Sequence, residues 1–466
     1  MNLETSGILK TAATLPESLS GEPEILLVRT PDQDLQDEAD RLRAVKKARL
    51  RIGPFVALMF AISILDRSNV SFAREALRTT EHIGDAAFAL GAGIFFIGYG
   101  VFEVPSNLLL QRVGAKVWLS RIMVTWGIAS ALMMFVHGNL SFYLLRFLVG
   151  LAEAGFSPGV VLYCTYWFPA NERGKALGMY YMGLPASLTF GSALSGWLMQ
   201  VMDGRGGLHN WQWMFLIEGL AASVVGVIAF FYLTSKPRDA KWLTEGERNA
   251  LEKNLAHEEQ QRHASSPRDS LAALRDPRLL WFVAIYFTIQ VGMYGVIFYL
   301  PSRIAELSGA AMNSRVGLMV AIPWLCALVC LRVITGLADR LDRHRHFAMA
   351  MLCLGALGLA CSMRTTHVSL SVMAFCLAAS GFVVVQPLFW TLPTGYLRGA
   401  AAATGIAVIG ALGNLGGFVA PTLKTFAEKQ FQNQSAGMLT LACIAVAGLL
   451  LLATQRTTSR ASQGTT

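Results

Sequence analysis

Apolar runs of about 20 residues recur from near residue 54 to residue 454, separated by short polar connections. A helix of about 20 residues is long enough to cross the roughly 30 Å hydrocarbon layer of a bilayer. Read this way, the runs fall at 54–73, 88–110, 117–136, 141–165, 176–200, 211–234, 279–301, 316–337, 347–363, 368–392, 399–422 and 436–454. Hydrocarbon offers the backbone no water to bond, so each run must satisfy its own N–H and C=O groups as a helix. The pattern predicts an all-α membrane protein with twelve transmembrane helices. A polar stretch at 235–278, rich in Lys, Arg, Glu and His, divides them six and six. The expected organisation is a polar tail (1–52), a first six-helix bundle (53–234), a linker (235–278), a second bundle (279–455) and a short tail (456–466).

Composition agrees, since 54% of the 466 residues are hydrophobic and only 15% charged, against about 25% charged in soluble domains. A net charge of +9 raises nucleic acid as a partner, but the basic residues sit between apolar runs and form no continuous face. Topology accounts for them instead. Alternate connections carry Arg112, Lys116 and Arg121, then Arg173 and Lys175, then Arg340, Arg343 and Arg345, whereas the loop at 137–139 has no Lys or Arg. Both termini are therefore expected in the cytoplasm. The first apolar run follows about 50 polar residues, so the first span is expected to act as the insertion signal in place of a cleaved one. That tail has the composition of a disordered segment. The seven cysteines lie in or beside apolar runs without C-x-x-C pairs and read as small packing residues; no metal or organic cofactor is implied.

The halves echo each other. Arg173-Gly174 followed by Gly178 and Gly183 matches Arg398-Gly399 followed by Gly405 and Gly410, and Gln111-Arg112 matches Asp339-Arg340, at offsets of about 225 to 228 residues. Duplicated six-span halves characterise secondary carriers. Glycine stripes in the fifth and eleventh runs favour close helix packing.

Charges inside apolar runs cost about 2.5–3.5 kcal/mol each on insertion scales and mark functional sites by default. Asp66-Arg67 interrupts the first run, and Arg146 and Glu153 lie seven residues, two turns, apart on the fourth. The four are expected to line one aqueous cavity. Arginine keeps its proton, so Arg67 and Arg146 suit a substrate carboxylate or a carboxylate neighbour. Asp66 and Glu153 can titrate, and a conformational change that alters burial or pairing would couple proton binding to transport. The competing reading is that the acids merely pair with arginine to lock helices together. Tyr99, Tyr294 and Trp390 are polar aromatics within runs and candidates for contact with a bound anion. Tyr299, nearer the end of its run, reads as an interfacial anchor. Glu103, one turn from Tyr99 toward the cytoplasmic end, reads as a gating residue.

Several segments resemble the anion:cation symporter family of the major facilitator superfamily, whose bacterial permeases carry tartrate, sugar acids and aromatic acids. They are LDRSNVSFA, FEVPSNLLLQRVGAK, RFLVGLAEAGFSPG, WFPANERGKALG and WQWMFLIEGL, with YGVIFYLPSRI, GLADRLDRHRH, PLFWTLPTGYLRGAAAATGIA and GNLGGFVAP in the second half. The resemblance spans nearly the whole membrane region and implies the major facilitator fold in a bacterial inner membrane. It implies Asp66 and Glu153 as proton-coupling groups, Arg146 as partner of the span-four carboxylate, Arg67 as carboxylate ligand, and Tyr99 and Trp390 as substrate contacts. The loop motifs around Arg112 and around Asp339-Arg340 imply a cytoplasmic gate, made asymmetric by Gln111, where the superfamily has an acid. Ile64 stands where relatives carry an aromatic, and Gly410-Ala411 where they read Asn-Ser, so two hydroxyl-reading contacts are expected to be absent. That favours a smaller hydroxy-dicarboxylate or an aromatic acid over a long sugar acid.

The expectation is a monomeric, non-enzymatic secondary transporter importing a small organic anion with protons, with an organic-anion exchanger or a symporter of another cation as the alternative. A membrane enzyme would want a His, Asp or Cys cluster near one interface, and His257, His263, His344 and His346 are scattered through polar loops. A nutrient sensor would want a folded cytosolic extension.

Overall fold

The computed structural model describes residues 31–263, 276–396 and 399–454, and among them every regular element is helical. Arg398 of the internal echo, the first 30 residues, the end of the linker and the last residues of the chain lie outside that set. The helices are α1 (Pro31–Thr80), α2 (Asp85–Val113), α3 (Ala115–Ala131), α4 (Gly138–Glu153), α5 (Phe156–Thr165), α6 (Ala170–Val201), α7 (Asn210–Tyr232) and α8 (Glu245–His263). The second half comprises α9 (Pro277–Ser308), α10 (Ser314–Leu341), α11 (His344–Ser362), α12 (Val368–Tyr396), α13 (Gly399–Asn414), α14 (Gly416–Phe431) and α15 (Gln434–Thr454). Eleven segments are long and apolar enough to cross a membrane, with α4–α5 and α13–α14 each counted as one span. The twelfth span is α6, whose 32 residues have ample length but are diluted by Asn171, Glu172, Arg173 and Lys175 and by many small and hydroxyl residues.

Two features depart from the hydrophobic pattern. The fourth run is two helices, because Ala154 turns extended (φ −54°, ψ 135°) and Gly155 takes the left-handed region at φ +82°. Hydrophobicity is blind to such a break, since both sides remain apolar. The second departure is at residues 31–52, whose composition reads as disordered. They continue α1 without interruption and dock on α8 through Lys47–Glu247 (2.7 Å) and Lys253–Asp37 (3.0 Å). Arg51 lies over the rings of Tyr232 (4.6 Å) and Trp242 (5.5 Å). Cross-helix pairing of this kind supplies the partners that a polar helix lacks when read alone.

Within the first half α2 packs on α4, α3 on α7, and α1 on α6 and α7; in the second, α12 packs on α11, and α15 on α9 and α11. The halves meet through α6 with α10, α2 with α14, and α1 with α9. These contacts concentrate at the end holding the 80–85, 201–210, 308–314 and 431–434 connections, hereafter the closed end. There α6 and α10 cross so tightly that a Cβ on Gly196 would stand 2.7 Å from the Asn313 carbonyl oxygen and 2.8 Å from the Gly317 Cα. At the opposite, open end, a Cβ on Gly178 or Gly410 would meet nothing within 4 Å. The basic connections around Arg112, Arg173 and Arg340, and α8, all lie at that open end.

Candidate functional site

The charges buried in the first half form two groups. The first is built on Glu153, the last residue of α4, where the helix breaks and the carboxylate is fully buried. Its Oε1 accepts from Ser63 Oγ (2.6 Å) and from Arg67 Nε (2.9 Å) and Nη2 (2.6 Å). Ser63 and Arg67 are one turn apart on α1, so one face delivers both donors. Among the described residues Glu153 Oε2 has no hydrogen-bond partner. Arg67 also donates Nη1 to the Tyr294 hydroxyl of α9 (3.4 Å), bridging the two halves. Its guanidinium lies 5.0 Å from the Tyr99 ring centroid and 5.3 Å from that of Phe95. Tyr294 in turn packs edge-on against Phe96 of α2 at 4.6 Å.

Arg146, expected beside Glu153, pairs differently. Its Nε and Nη2 point to the carbonyl oxygens of Gly91 (3.4 Å) and Ala92 (3.5 Å), and it lies over Phe95 at 5.1 Å. Two turns on one helix put the residues on one face but about 10 Å apart along the axis, and Arg67 reaches the carboxylate from the neighbouring helix. The ion pair of Glu153 is therefore with Arg67 (2.6 Å).

Asp66 departs further. Adjacent in sequence to Arg67, it projects about 100° round the helix into the bundle, where it is 1% exposed. Its Oδ2 accepts from Trp126 Nε1 (2.5 Å), and its Oδ1 accepts from Ser130 Oγ (3.1 Å) and Asn69 Nδ2 (3.5 Å). The four charges thus do not line one cavity: Asp66 is sequestered against α3, and only Arg67 and Glu153 meet the interface between halves.

In the second half Trp390 is half-buried against Tyr286 (ring centroids 4.9 Å) and Phe389 (5.5 Å). On α9, one turn from Tyr294, Gln290 Nε2 donates to Asn414 Oδ1 of α13 (2.8 Å), and Gln290 Oε1 is buried without a partner among the described residues. The gating candidates stand at the open end: Glu103 is half-buried, Arg112 and Arg340 are exposed, and Asp339 pairs with His344 Nε2 (2.8 Å) in its own connection. No ion pair joins these four to one another among the described residues. Tyr299 is not at a lipid interface. It is 3% exposed at the closed end, its hydroxyl donating to the Pro421 carbonyl (3.4 Å) and its ring facing Arg74 (5.0 Å) and Lys424 (3.9 Å). Arg74 is held by Asp85 (2.7 Å) and Lys424 by Glu428 (2.7 Å).

Ser63, Trp126, Ser130, Gln290 and Asn414 escaped the sequence reading because uncharged polar residues are common in transmembrane helices. Glu218 of α7 escaped it too, although the rule that singled out Asp66 and Glu153, a carboxylate amid an apolar run, applies to it equally.

The Major Facilitator Superfamily profile matches residues 56–421, and the chain belongs to that superfamily. It is a secondary transporter, not an enzyme, and a multi-pass inner membrane protein. Its sequence is 41% identical to the Inner membrane transport protein RhmT of Escherichia coli (strain K12), over 90% of this chain and 96% of that one. It is also 41% identical to a protein of Agrobacterium vitis named "Putative tartrate transporter", over 88% of this chain and 89% of the relative. Among solved structures, a bacterial homologue of the human lysosomal transporter Spinster superposes with a TM-score of 0.69, covering 87% of this chain and 96% of the other at 13% identity. The chain is thus about two-fifths identical to these two transport proteins over most of its length.

Proposed function

We propose that this protein imports a small organic anion together with protons by alternating access, as a monomer with both termini and the open end in the cytoplasm. The observation that carries this reading is the Arg67 bridge. One guanidinium holds Glu153 of the first half and reaches Tyr294 of the second. A substrate carboxylate arriving at Arg67 competes with Glu153 for the same donors. A buried carboxylate that loses its cation is more stable neutral than charged, so Glu153 takes a proton as the anion binds. One anion then travels with one proton at this locus, and anion binding without the proton leaves an unpaired buried charge. Tyr99 and Tyr294 flank the guanidinium, and Trp390 closes the site from the second half. Asp66, with Arg146 nearby, forms the second proton-coupling locus. Glu103, Arg112, Asp339 and Arg340 close the cytoplasmic end in the opposite state.

The positive inside rule supports the orientation, because the basic connections gather at the open end. The Gln290–Asn414 pair supplies amide groups where Gly410-Ala411 supplies none, which suits a hydroxy-dicarboxylate; tartrate, the substrate in the name of the Agrobacterium vitis relative, has that chemistry. An aromatic acid stacking on Trp390 is the next candidate. Uptake of radiolabelled tartrate, phthalate, 4-hydroxyphenylacetate and galactonate into proteoliposomes, with and without an inward proton gradient, tests the reading. Gradient-stimulated uptake of one acid, with the stimulation lost in Glu153→Gln, is expected. Equal uptake without the gradient, or a coupled mutant, would favour an exchanger or another coupling cation.

A further inference from the structure

The Arg67–Glu153 pair leaves one buried carboxylate of the first half unused. Glu218, in the middle of α7, is 1% exposed. Its Oε1 accepts from Ser195 Oγ of α6 (2.7 Å), while Oε2 is buried and without a donor among the described residues. On α1, three residues from Asp66, Asn69 Oδ1 is likewise buried and without a donor among the described residues. The Asn69 amide nitrogen is directed to Asp66 Oδ1 (3.5 Å). A buried carboxylate with one donor and one bare oxygen is better accommodated as the neutral acid than as the anion.

The two carboxylates have opposite surroundings. Asp66 receives three donors, from Trp126, Ser130 and Asn69, which suits an anion. Glu218 receives one hydroxyl. Among the described residues, the elements packed on α7 bring it no countercharge: α1 presents Asp66, α6 presents Ser195, and the turn at Leu132–Phe135 is apolar. On α3, Lys116 and Arg121 lie more than two turns from Ser130, toward the open end. The buried arginines are engaged elsewhere, Arg146 with the Gly91 and Ala92 carbonyls and Arg67 with Glu153. Paired buried carboxylates with such unequal environments divide into one charged and one neutral group.

The position also suggests the route. Glu218 is about two turns from the closed-end terminus of α7 and about four from the other. Its partner Ser195 precedes Gly196, the residue pressed against Gly317 where the halves meet. Parting that contact opens the Ser195 face toward the closed-end solution.

We propose that Glu218 is a third proton-binding carboxylate, neutral in this conformation, which exchanges its proton with the closed-end solution when α6 and α10 separate. The proposal rests on the proton-symport reading. It is chemically simple: the carboxylate gains a proton to become the acid, and loses it again, with no other bond changed. In Glu218→Gln the amide oxygen can still accept from Ser195 and the side chain is uncharged at nearly the same size, so the variant reproduces the neutral form and is expected to melt close to the wild type.

Infrared difference spectra of the purified protein at neutral pH, before and after exchange into D₂O, read the acid directly, and proteoliposome uptake reads its use. A carboxylic acid C=O band present in the wild type and in Glu153→Gln, and lost in Glu218→Gln, is expected. Most of the gradient stimulation of uptake is expected to be lost with it, and Glu218→Asp to retain both in part. A band that survives in Glu218→Gln overturns the proposal. So does loss of the band with gradient stimulation at the wild-type level, because that proton then never leaves. If wild-type uptake of every acid ignores the gradient, the symport reading itself fails, and the transported role of Glu218 with it.

Discussion

Substituting Gly155 by alanine should damage both stability and transport, and the size of the effect can be worked from the break in span four. Gly155 has φ +82°, where an L-residue costs about 1–2 kcal/mol. An added Cβ would stand 2.6 Å from the Ser106 Cβ of α2, and overpacking of a tight site costs typically about 1–3 kcal/mol. Together these predict a loss of roughly 2–5 kcal/mol. The break sets the end of α4, so relaxing the clash moves Glu153 relative to Ser63 and Arg67, and uptake should fall with stability. Equilibrium unfolding in mixed micelles measures the loss. The double variant Ser106→Gly with Gly155→Ala removes the clash but not the backbone cost, and should recover about 1–3 kcal/mol. Gly155→Ala at wild-type stability and uptake would refute the reasoning, and failure of Ser106→Gly to recover any stability would refute the packing part of it.

Two further predictions concern the ends of the molecule. Burial pushes the Glu247 carboxyl up, but Lys47 and the Thr244 N–H outweigh it and hold it below the ordinary carboxylate range. Its contribution to docking α8 on α1 is therefore present above the unfolded value of about 4.3 and lost as pH falls through the lower folded value. With Lys47 half exposed, the pair contributes about 1 kcal/mol; hydrogen exchange in α8 should accelerate on acidification, and Glu247→Gln should show that acceleration already at neutral pH. At the closed end, Tyr299→Leu removes a ring shared by Arg74 and Lys424, a loss of about 0.5–2 kcal/mol, or a roughly 2-fold to 30-fold shift toward separation of the halves. Spin labels at His82 and Ala311 should gain a longer-distance population, and an unchanged distribution would count against the clamp.

The apolar runs alone determined the spans and the division six and six, because a bilayer demands about 20 apolar residues per crossing and leaves few alternatives. They also marked Asp66, Arg67, Arg146 and Glu153 as unusual, since intramembrane charge is costly wherever it falls. Partner choice was a different matter. That Arg146 and Glu153 share a face is a property of one helix, whereas the Arg67–Glu153 ion pair depends on how α1 lies against the break between α4 and α5. Asp66 and Arg67 are neighbours in the chain, yet one helical step of about 100° sends one into the bundle and the other to the interface. The break itself follows from a single left-handed glycine that hydropathy cannot register. The docking of residues 31–52 on α8 and the burial of Tyr299 between two cations likewise came from contacts across the chain. Sequence periodicity reports which residues face away from water along one helix; which of them meet is decided by the placement of helices against each other, and that information is spread over the whole fold.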